Sequence, residues 1–226
     1  MIEKKIEKTK LDIISAFISR NRITLIIILS IIVVAVIATG ITVASISRQL
    51  DKKTAQVEVY HEEYANWVNN SAELTEEESQ IVYEKLYDDL SQFVDKARTG
   101  YPELRAIFTL ASVEYHKENY ESAVALFVQI VEDYPDSHLA ASSAMNTAVC
   151  YELLSDQNNA VKYYQIVFDN YGDRSSEGPH AKFSIGRIYE GMDEQQKAIE
   201  SYRELSTGYP TSEWAKLAVS RLIALE

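Results

Sequence analysis

The chain has 226 residues, a formal net charge of −12, 7 glycines and 4 prolines. So few turn-forming residues disfavour an all-β fold and favour long helices. The acidic charge disfavours binding to nucleic acid, while 46% apolar residues indicate a folded core. The single cysteine, Cys150, excludes an internal disulfide, and its place within a predicted helix indicates a buried, inert thiol.

Residues 23–46 (ITLIIILSIIVVAVIATGITVASI) contain no charged side chain. A helix of that length spans about 36 Å, against roughly 30 Å for the hydrocarbon core of a bilayer. We therefore predict a transmembrane helix. Two alternatives are a buried core helix and a cleaved signal peptide, for which Thr42 and Ala44 have suitable spacing. The run is longer than an ordinary signal core, which favours the uncleaved anchor.

The charged flanks predict the orientation of this helix. Residues 1–22 carry six basic and three acidic groups, whereas Arg48, Lys52 and Lys53 follow the span. The positive-inside rule then places 1–22 in the cytoplasm as a short tail. The rest of the chain, with a net charge of −16 from Asp51 onward, is expected on the periplasmic side of a bacterial inner membrane.

A pattern recurs three times in the second half of the chain, at spacings of 37 and 38 residues. Each copy has a small residue, an alanine twelve residues later, an aromatic residue four further on, then a tyrosine followed by proline or glycine. The small residues let two helices approach closely, and the aromatic ring fills the space beside them. The members are Ala111, Ala148 and Gly186; Ala123, Ala160 and Ala198; Phe127, Tyr164 and Tyr202; Tyr134, Tyr171 and Tyr209; Pro135, Gly172 and Pro210.

This pattern resembles the tetratricopeptide repeat, a helix–turn–helix unit. The resemblance implies an all-α solenoid, with three such repeats and a capping helix within residues 102–226. The first copy differs, because Glu114 stands where the others have Tyr151 and Tyr189. That difference predicts a rotated first helix or a shortened turn.

The pattern predicts helix pairs over 103–117 with 119–133, 139–154 with 158–170, and 179–192 with 194–207. The capping helix, 212–225, is expected to turn an apolar stripe toward the last repeat and a polar face outward. Residues 51–101 are predicted to form a linker helix and a degenerate repeat, whose second helix starts with a capping box at Thr75 and Glu78. The expected stripe is Trp214, Leu217, Ala218, Arg221, Leu222 and Leu225.

The segment Tyr134–Ala141 (YPDSHLAA) is similar to repeats of bacterial envelope proteins. These include the lipoprotein of the outer-membrane assembly machine and the Tol–Pal-associated cell-division coordinator. In architecture the chain is most similar to the inner-membrane ancillary subunit of the Sec translocon. The resemblance implies a chaperone-like scaffold with protein partners, the translocon among them, and a division-coordinating role as the alternative.

No catalytic, cofactor-binding or metal-ligating constellation is evident in the sequence, so an enzyme is not expected. The candidate site is the groove lined by the first helices, where apolar residues favour an apolar or helical peptide. Core packing is the alternative role for the three apolar members. A further alternative is self-assembly through a coiled coil over 52–69, with a partial seam at Leu50, Val57, Tyr64 and Val68. The groove candidates are Arg105, Phe108, Tyr115, Met145, Asn146, Phe183 and Arg187.

Overall fold

The computed structural model describes residues 2–97, 100–172 and 175–225, except for the side chains of 2–11 and 97. Within these ranges the regular structure is entirely helical, as predicted. The helices are α1 (Ile2–Asn70), α2 (Glu76–Ala97), α3 (Tyr101–His116), α4 (Tyr120–Asp133), α5 (Ala140–Leu153), α6 (Gln157–Ile166), which a π-helical turn (Val167–Tyr171) extends, α7 (Glu177–Gly191), α8 (Gln195–Gly208) and α9 (Glu213–Leu225). The predicted helices of the three repeats and the cap are found within two residues of their expected ends.

The chain divides into two compact units, Met1–Lys52 and Lys53–Glu226. The first unit consists of the greater part of α1. Its apolar stretch has a mean hydropathy of 3.0, none of it is buried, and it is long and apolar enough to cross a membrane. The absence of burial argues against the core-helix alternative, because a core helix would be covered by its own protein.

The second unit begins with the remainder of α1, which forms a hairpin with α2. The indole of Trp67 donates a hydrogen bond to the hydroxyl of Ser79 at 3.1 Å. Val57 is fully buried and Tyr64 packs against the same cluster, so neither is available as a coiled-coil seam. The capping box is confirmed: the Thr75 hydroxyl accepts from the Glu78 amide at 3.2 Å, and the Glu78 carboxylate accepts from the Thr75 amide at 2.9 Å.

Three further hairpins follow, α3–α4, α5–α6 and α7–α8. Each turn has three residues, and the middle one has a positive φ: 65° at Glu118, 60° at Ser155 and 59° at Asp193. The predicted shortening of the first turn is therefore wrong. The first helix is not rotated either, because Ala111 packs against Phe127 as Ala148 packs against Tyr164 in the next hairpin.

The exceptional residue of the first repeat, Glu114, is bonded to a neighbouring hairpin. Its carboxylate is buried and accepts a hydrogen bond from the Tyr83 hydroxyl at 3.0 Å. Burial and this carboxylate raise the pKa of Tyr83 to about 12. A buried carboxylate needs a hydrogen-bond donor, and Tyr83 of α2 provides it. The other two repeats have a tyrosine at the position of Glu114, so in the first repeat a tyrosine of the neighbouring hairpin lies there instead.

Helix α9 packs on α8 through Ala215 and Ala218, with Trp214 and Leu222 beside them. The outer face is polar at Glu213 and Lys216, as predicted, but Leu217, placed in the inward stripe, is 49% exposed. Val219 and Ile223 are also exposed, Ile223 by 78%. Arg221 is exposed as well and bonds to Glu190. The cap thus exposes apolar side chains among charged ones.

The positive φ of the middle turn residue predicts that glycine at this position stabilises the fold. Ser155→Gly should raise the free energy of unfolding by about 0.5–1 kcal/mol, because a Cβ is strained in the left-handed region and glycine is not. Thermal unfolding followed by circular dichroism would measure it. Ser155→Ala is the matched control, since it removes the hydroxyl and keeps the Cβ. An equal gain from both variants would contradict the backbone explanation.

Candidate protein-binding site

The first helices of the three hairpins, α3, α5 and α7, supply the residues of the candidate groove, and α9 packs beside α7. Polar side chains connect neighbouring members of this set. The Ser142 hydroxyl donates to Glu177 at 2.8 Å, joining α5 to α7. The Glu190 carboxylate accepts from the Arg221 guanidinium, joining α7 to α9. These bonds hold successive first helices side by side.

The three apolar candidates occupy equivalent positions, three residues before the small residue of each repeat. Met145 is 6% exposed and belongs to the core between the second and third hairpins. Phe108 meets Phe127 edge-on, with ring centroids 5.6 Å apart. Phe183 lies 5.4 Å from Tyr202 by the same measure. The structure thus places Met145 in the core and leaves part of each phenylalanine ring at the surface.

The polar candidates on the first two repeats are less uniform. Arg105 is mostly buried and forms an ion pair with Glu58 at 3.5 Å. Tyr115 is 36% exposed and meets Tyr120 edge-on at 5.8 Å. Asn146 is half-buried on α5. A binding role for these residues remains a prediction. Of the three, Tyr115 has an aromatic ring that is partly exposed to solvent.

Arg187, the last candidate, belongs to a three-residue contact that recurs. Its guanidinium donates to both oxygens of Glu152, at 2.8 and 2.6 Å, and the Tyr164 hydroxyl donates to the same carboxylate at 2.5 Å. One repeat later, Glu190 accepts from Arg221 and from Tyr202. Arg187 donates through Nη2 alone, whereas Arg221 donates to Glu190 through both Nε and Nη2, a bidentate pair that fixes geometry as well as adding energy.

The electrostatics of these contacts follow from their partners. Hydrogen bonding to Arg221 lowers the pKa of Glu190. The pKa of Tyr164 and that of Tyr202 are raised mainly by burial and also by the hydrogen bonds to Glu152 and Glu190. Both hydroxyls therefore stay protonated and act as donors. We call this arrangement the tyrosine–glutamate–arginine contact.

The first repeat lacks this contact. Tyr115 stands at the position of Glu152 and Glu190, and Phe127 stands at the position of the two tyrosines. A ring without a hydroxyl needs no carboxylate acceptor, so the two differences compensate each other. Sequence reasoning overlooked the glutamates, although each lies four residues after a small residue, in the two repeats whose aromatic is tyrosine.

The last turns of α3 and α5 each expose an apolar group. Tyr115 and Leu153, which is 48% exposed, present apolar groups there. Beneath them Cys150 is fully buried against Ala111 and Phe127. Burial raises the pKa of its thiol to about 12, as expected for an inert cysteine. We call Tyr115 and Leu153 the apolar patch.

Removal of the shared carboxylate provides a test of the tyrosine–glutamate–arginine contact. Glu152→Leu should lower the free energy of unfolding by about 1 kcal/mol more with Tyr164 present than in a Tyr164→Phe background, because the buried hydroxyl loses its acceptor. Chemical denaturation of the four proteins of the cycle would measure the coupling. Equal costs in both backgrounds would show that the hydroxyl does not depend on Glu152.

The comparisons with known proteins agree with this geometry. The tetratricopeptide repeat model matches residues 105–137, 143–173 and 180–212, one match for each hairpin from α3 to α8. A comparison with curated proteins gives no match.

Solved structures with similar folds include a putative kinesin light chain from Podosopora anserina with nearly identical TPR-like repeats. It is 15% identical, with a TM-score of 0.56 over 76% of this chain and 86% of that one. BtubC (BKLC) from P. vanneervenii is 12% identical, with a TM-score of 0.53 over 78% and 82% of the two chains. A tetratricopeptide repeat protein from Parabacteroides merdae is 13% identical, with a TM-score of 0.54 over 75% and 59%.

Identities this low support the fold alone. Together with the three matched segments and the hairpin geometry, they lead to one conclusion. The chain carries three tetratricopeptide repeats, in an all-helical domain suited to protein–protein interaction.

Proposed function

We propose that this protein is a membrane-anchored scaffold, held in the bacterial inner membrane by residues 23–46, whose repeats bind protein partners on the periplasmic side. The observation that carries the proposal is an uncharged, unburied apolar helix in the same chain as a repeat domain. An accessory or chaperone-like role beside the Sec translocon is the finer form of the proposal, supported by the similarity of architecture.

The case for anchoring rests on the exposed apolar area. Isoleucines along this stretch are about half to two-thirds exposed, for example Ile23 at 68% and Ile31 at 63%. Burial of apolar surface is favourable by about 25 cal/mol per Å², so a lipid environment stabilises this helix strongly relative to water. The six basic groups of residues 1–22 support a cytoplasmic tail.

Charges in the middle of the span should abolish anchoring. Ile31→Arg combined with Val34→Arg should move the protein from the membrane fraction to the soluble fraction, since each arginine costs about 2.5–3.5 kcal/mol at the helix centre. Flotation of membranes after an alkaline wash, followed by immunoblotting, would measure it.

The matched control is Val59→Arg, at a position outside the span that is 52% exposed. This variant should float with the membranes as the wild type does. Release of the wild-type protein by the alkaline wash would contradict the proposal.

The case for partner binding rests on the apolar patch. Tyr115 and Leu153 are exposed in the last turns of α3 and α5, whereas α5 and α7 are joined by the ion pair of Glu152 and Arg187. A peptide that offers apolar side chains would cover the patch and place polar groups near that ion pair. This chemistry favours the apolar or helical peptide predicted from the sequence.

Site-specific crosslinking in cells would identify the partner. A photoreactive amino acid in place of Tyr115 or Leu153 should capture the same partner, because both side chains lie in the apolar patch. Ile81, 61% exposed on α2, is the matched control and should capture none of it. Translocon subunits would support the Sec-associated role, and Tol or peptidoglycan-synthesis components the division role. Equal capture from Ile81 would contradict the patch as the binding site.

A further inference from the structure

Helix α9 repeats the sequence pattern of α7 at an offset of 34 residues. Ala215, Lys216 and Arg221 stand where α7 has Ala181, Lys182 and Arg187. The correspondence extends to contacts, because Arg221 bonds to Glu190 of α7 as Arg187 bonds to Glu152 of α5. Helix α9 is thus built as the first helix of a fourth repeat.

In the second and third repeats, three positions of each first helix pack against its own second helix. They are the small residue and the residues three before and three after it. In the third repeat, Phe183 and Tyr189 pack in one cluster with α8, and a Cβ added to Gly186 would lie 2.5 Å from the Tyr202 ring. In the second repeat, Tyr151 stacks on Tyr163 of α6, with centroids 5.6 Å apart.

The same three positions of α9 are Leu217, Ser220 and Ile223, which we call the α9 stripe. All three are exposed, Leu217 by 49% and Ile223 by 78%. Ser220 keeps the small side chain that an overlying aromatic ring requires, as Ala111 and Ala148 do. The stripe therefore has the composition of a surface that a second helix covers, and it lies open in the described part of the chain.

The chain itself shows which helix fits such a surface. Each second helix presents an alanine, an aromatic residue four positions later and an aliphatic residue three positions after that. These side chains are fully or almost fully buried, since they lie on one face of the helix and meet the small residue opposite. The sets are Ala123, Phe127 and Ile130; Ala160, Tyr164 and Val167; Ala198, Tyr202 and Leu205.

The aromatic residue that fits α9 is phenylalanine. Where the aromatic is tyrosine, Glu152 or Glu190 accepts the bond from its hydroxyl. The equivalent residue of α9 is Ala224, which has no acceptor. A tyrosine hydroxyl buried there would be left without a partner, which costs about 1–3 kcal/mol.

We propose that the α9 stripe binds an amphipathic helix of a partner protein, in the position that a second helix takes in the three repeats. The bound helix has the pattern alanine, phenylalanine at plus four and an aliphatic residue at plus seven. A second copy of this chain fits less well. Helix α9 has Val219 four residues after Ala215 where an aromatic is needed, and the chain's own second helices are already packed. The net charge of −16 beyond Asp51 also opposes self-association.

The test uses the full-length protein in detergent micelles and a fluorescent peptide of residues 118–135, which carries Ala123, Phe127 and Ile130. Fluorescence anisotropy should show binding that Leu217→Glu or Ile223→Glu weakens at least tenfold. Both side chains are exposed, so the fold should survive, and circular dichroism would verify it. The control Ile81→Glu changes an exposed side chain of α2, outside both the α9 stripe and the apolar patch, and should leave binding unaltered.

A specificity swap makes the test sharper. The wild type should bind the phenylalanine peptide at least threefold more tightly than its Phe127→Tyr version. Ala224→Glu should reverse that order, because it restores the acceptor for a tyrosine hydroxyl.

Three outcomes would overturn the proposal. They are an equal loss of binding in Ile81→Glu, an unchanged peptide preference in Ala224→Glu, and self-association of the free protein that Ile223→Glu abolishes. The last outcome would mean that a second copy covers the stripe. None of these measurements depends on membrane insertion or on the partner of the apolar patch, so a failure here is distinct from failure of the proposed function.

Discussion

The contact on which the repeat domain depends is the aromatic ring of each second helix lying against the small residue of its first helix. Phe127, Tyr164 and Tyr202 are the largest fully or almost fully buried side chains of the three hairpins. A larger side chain at Gly186 would meet the Tyr202 ring directly. Close approach of two helices and burial of a large ring are thus a single requirement, and it recurs in each repeat.

The chemistry of that ring determines what surrounds it. A tyrosine brings a hydroxyl into a buried place, and the hydroxyl requires an acceptor. Glu152 and Glu190 provide the acceptor, and each carboxylate then attracts an arginine from the next first helix. Phe127 has no hydroxyl and needs no acceptor, and the first repeat has Tyr115 in place of the glutamate. The glutamate–arginine pair thus accompanies the tyrosine hydroxyl in the second and third repeats, and both are replaced in the first.

The helices and their order could be predicted from the sequence because the small, aromatic and turn residues have fixed positions in each repeat. The packing of side chains was harder to predict. Met145 and Phe183 occupy equivalent positions, yet Met145 is buried and Phe183 is half-buried, because different neighbours cover them. Val57 was expected in a seam but lies in the core, since periodicity marks an apolar face without naming the helix that covers it. The exposure of Ile223 could not be predicted for the same reason, because the sequence pattern does not say whether another helix packs on it.

The burial of Cys150 has a practical consequence for the study of this domain. The chain's only thiol lies beneath the apolar patch, protonated and out of reach of solvent. Reagents that modify thiolates can act on it only when α5 separates from the first hairpin. The native chain thus contains an internal reporter of local opening at this junction. The rate at which Cys150 reacts, compared with that of an unfolded cysteine, reflects the free energy that holds the first two repeats together.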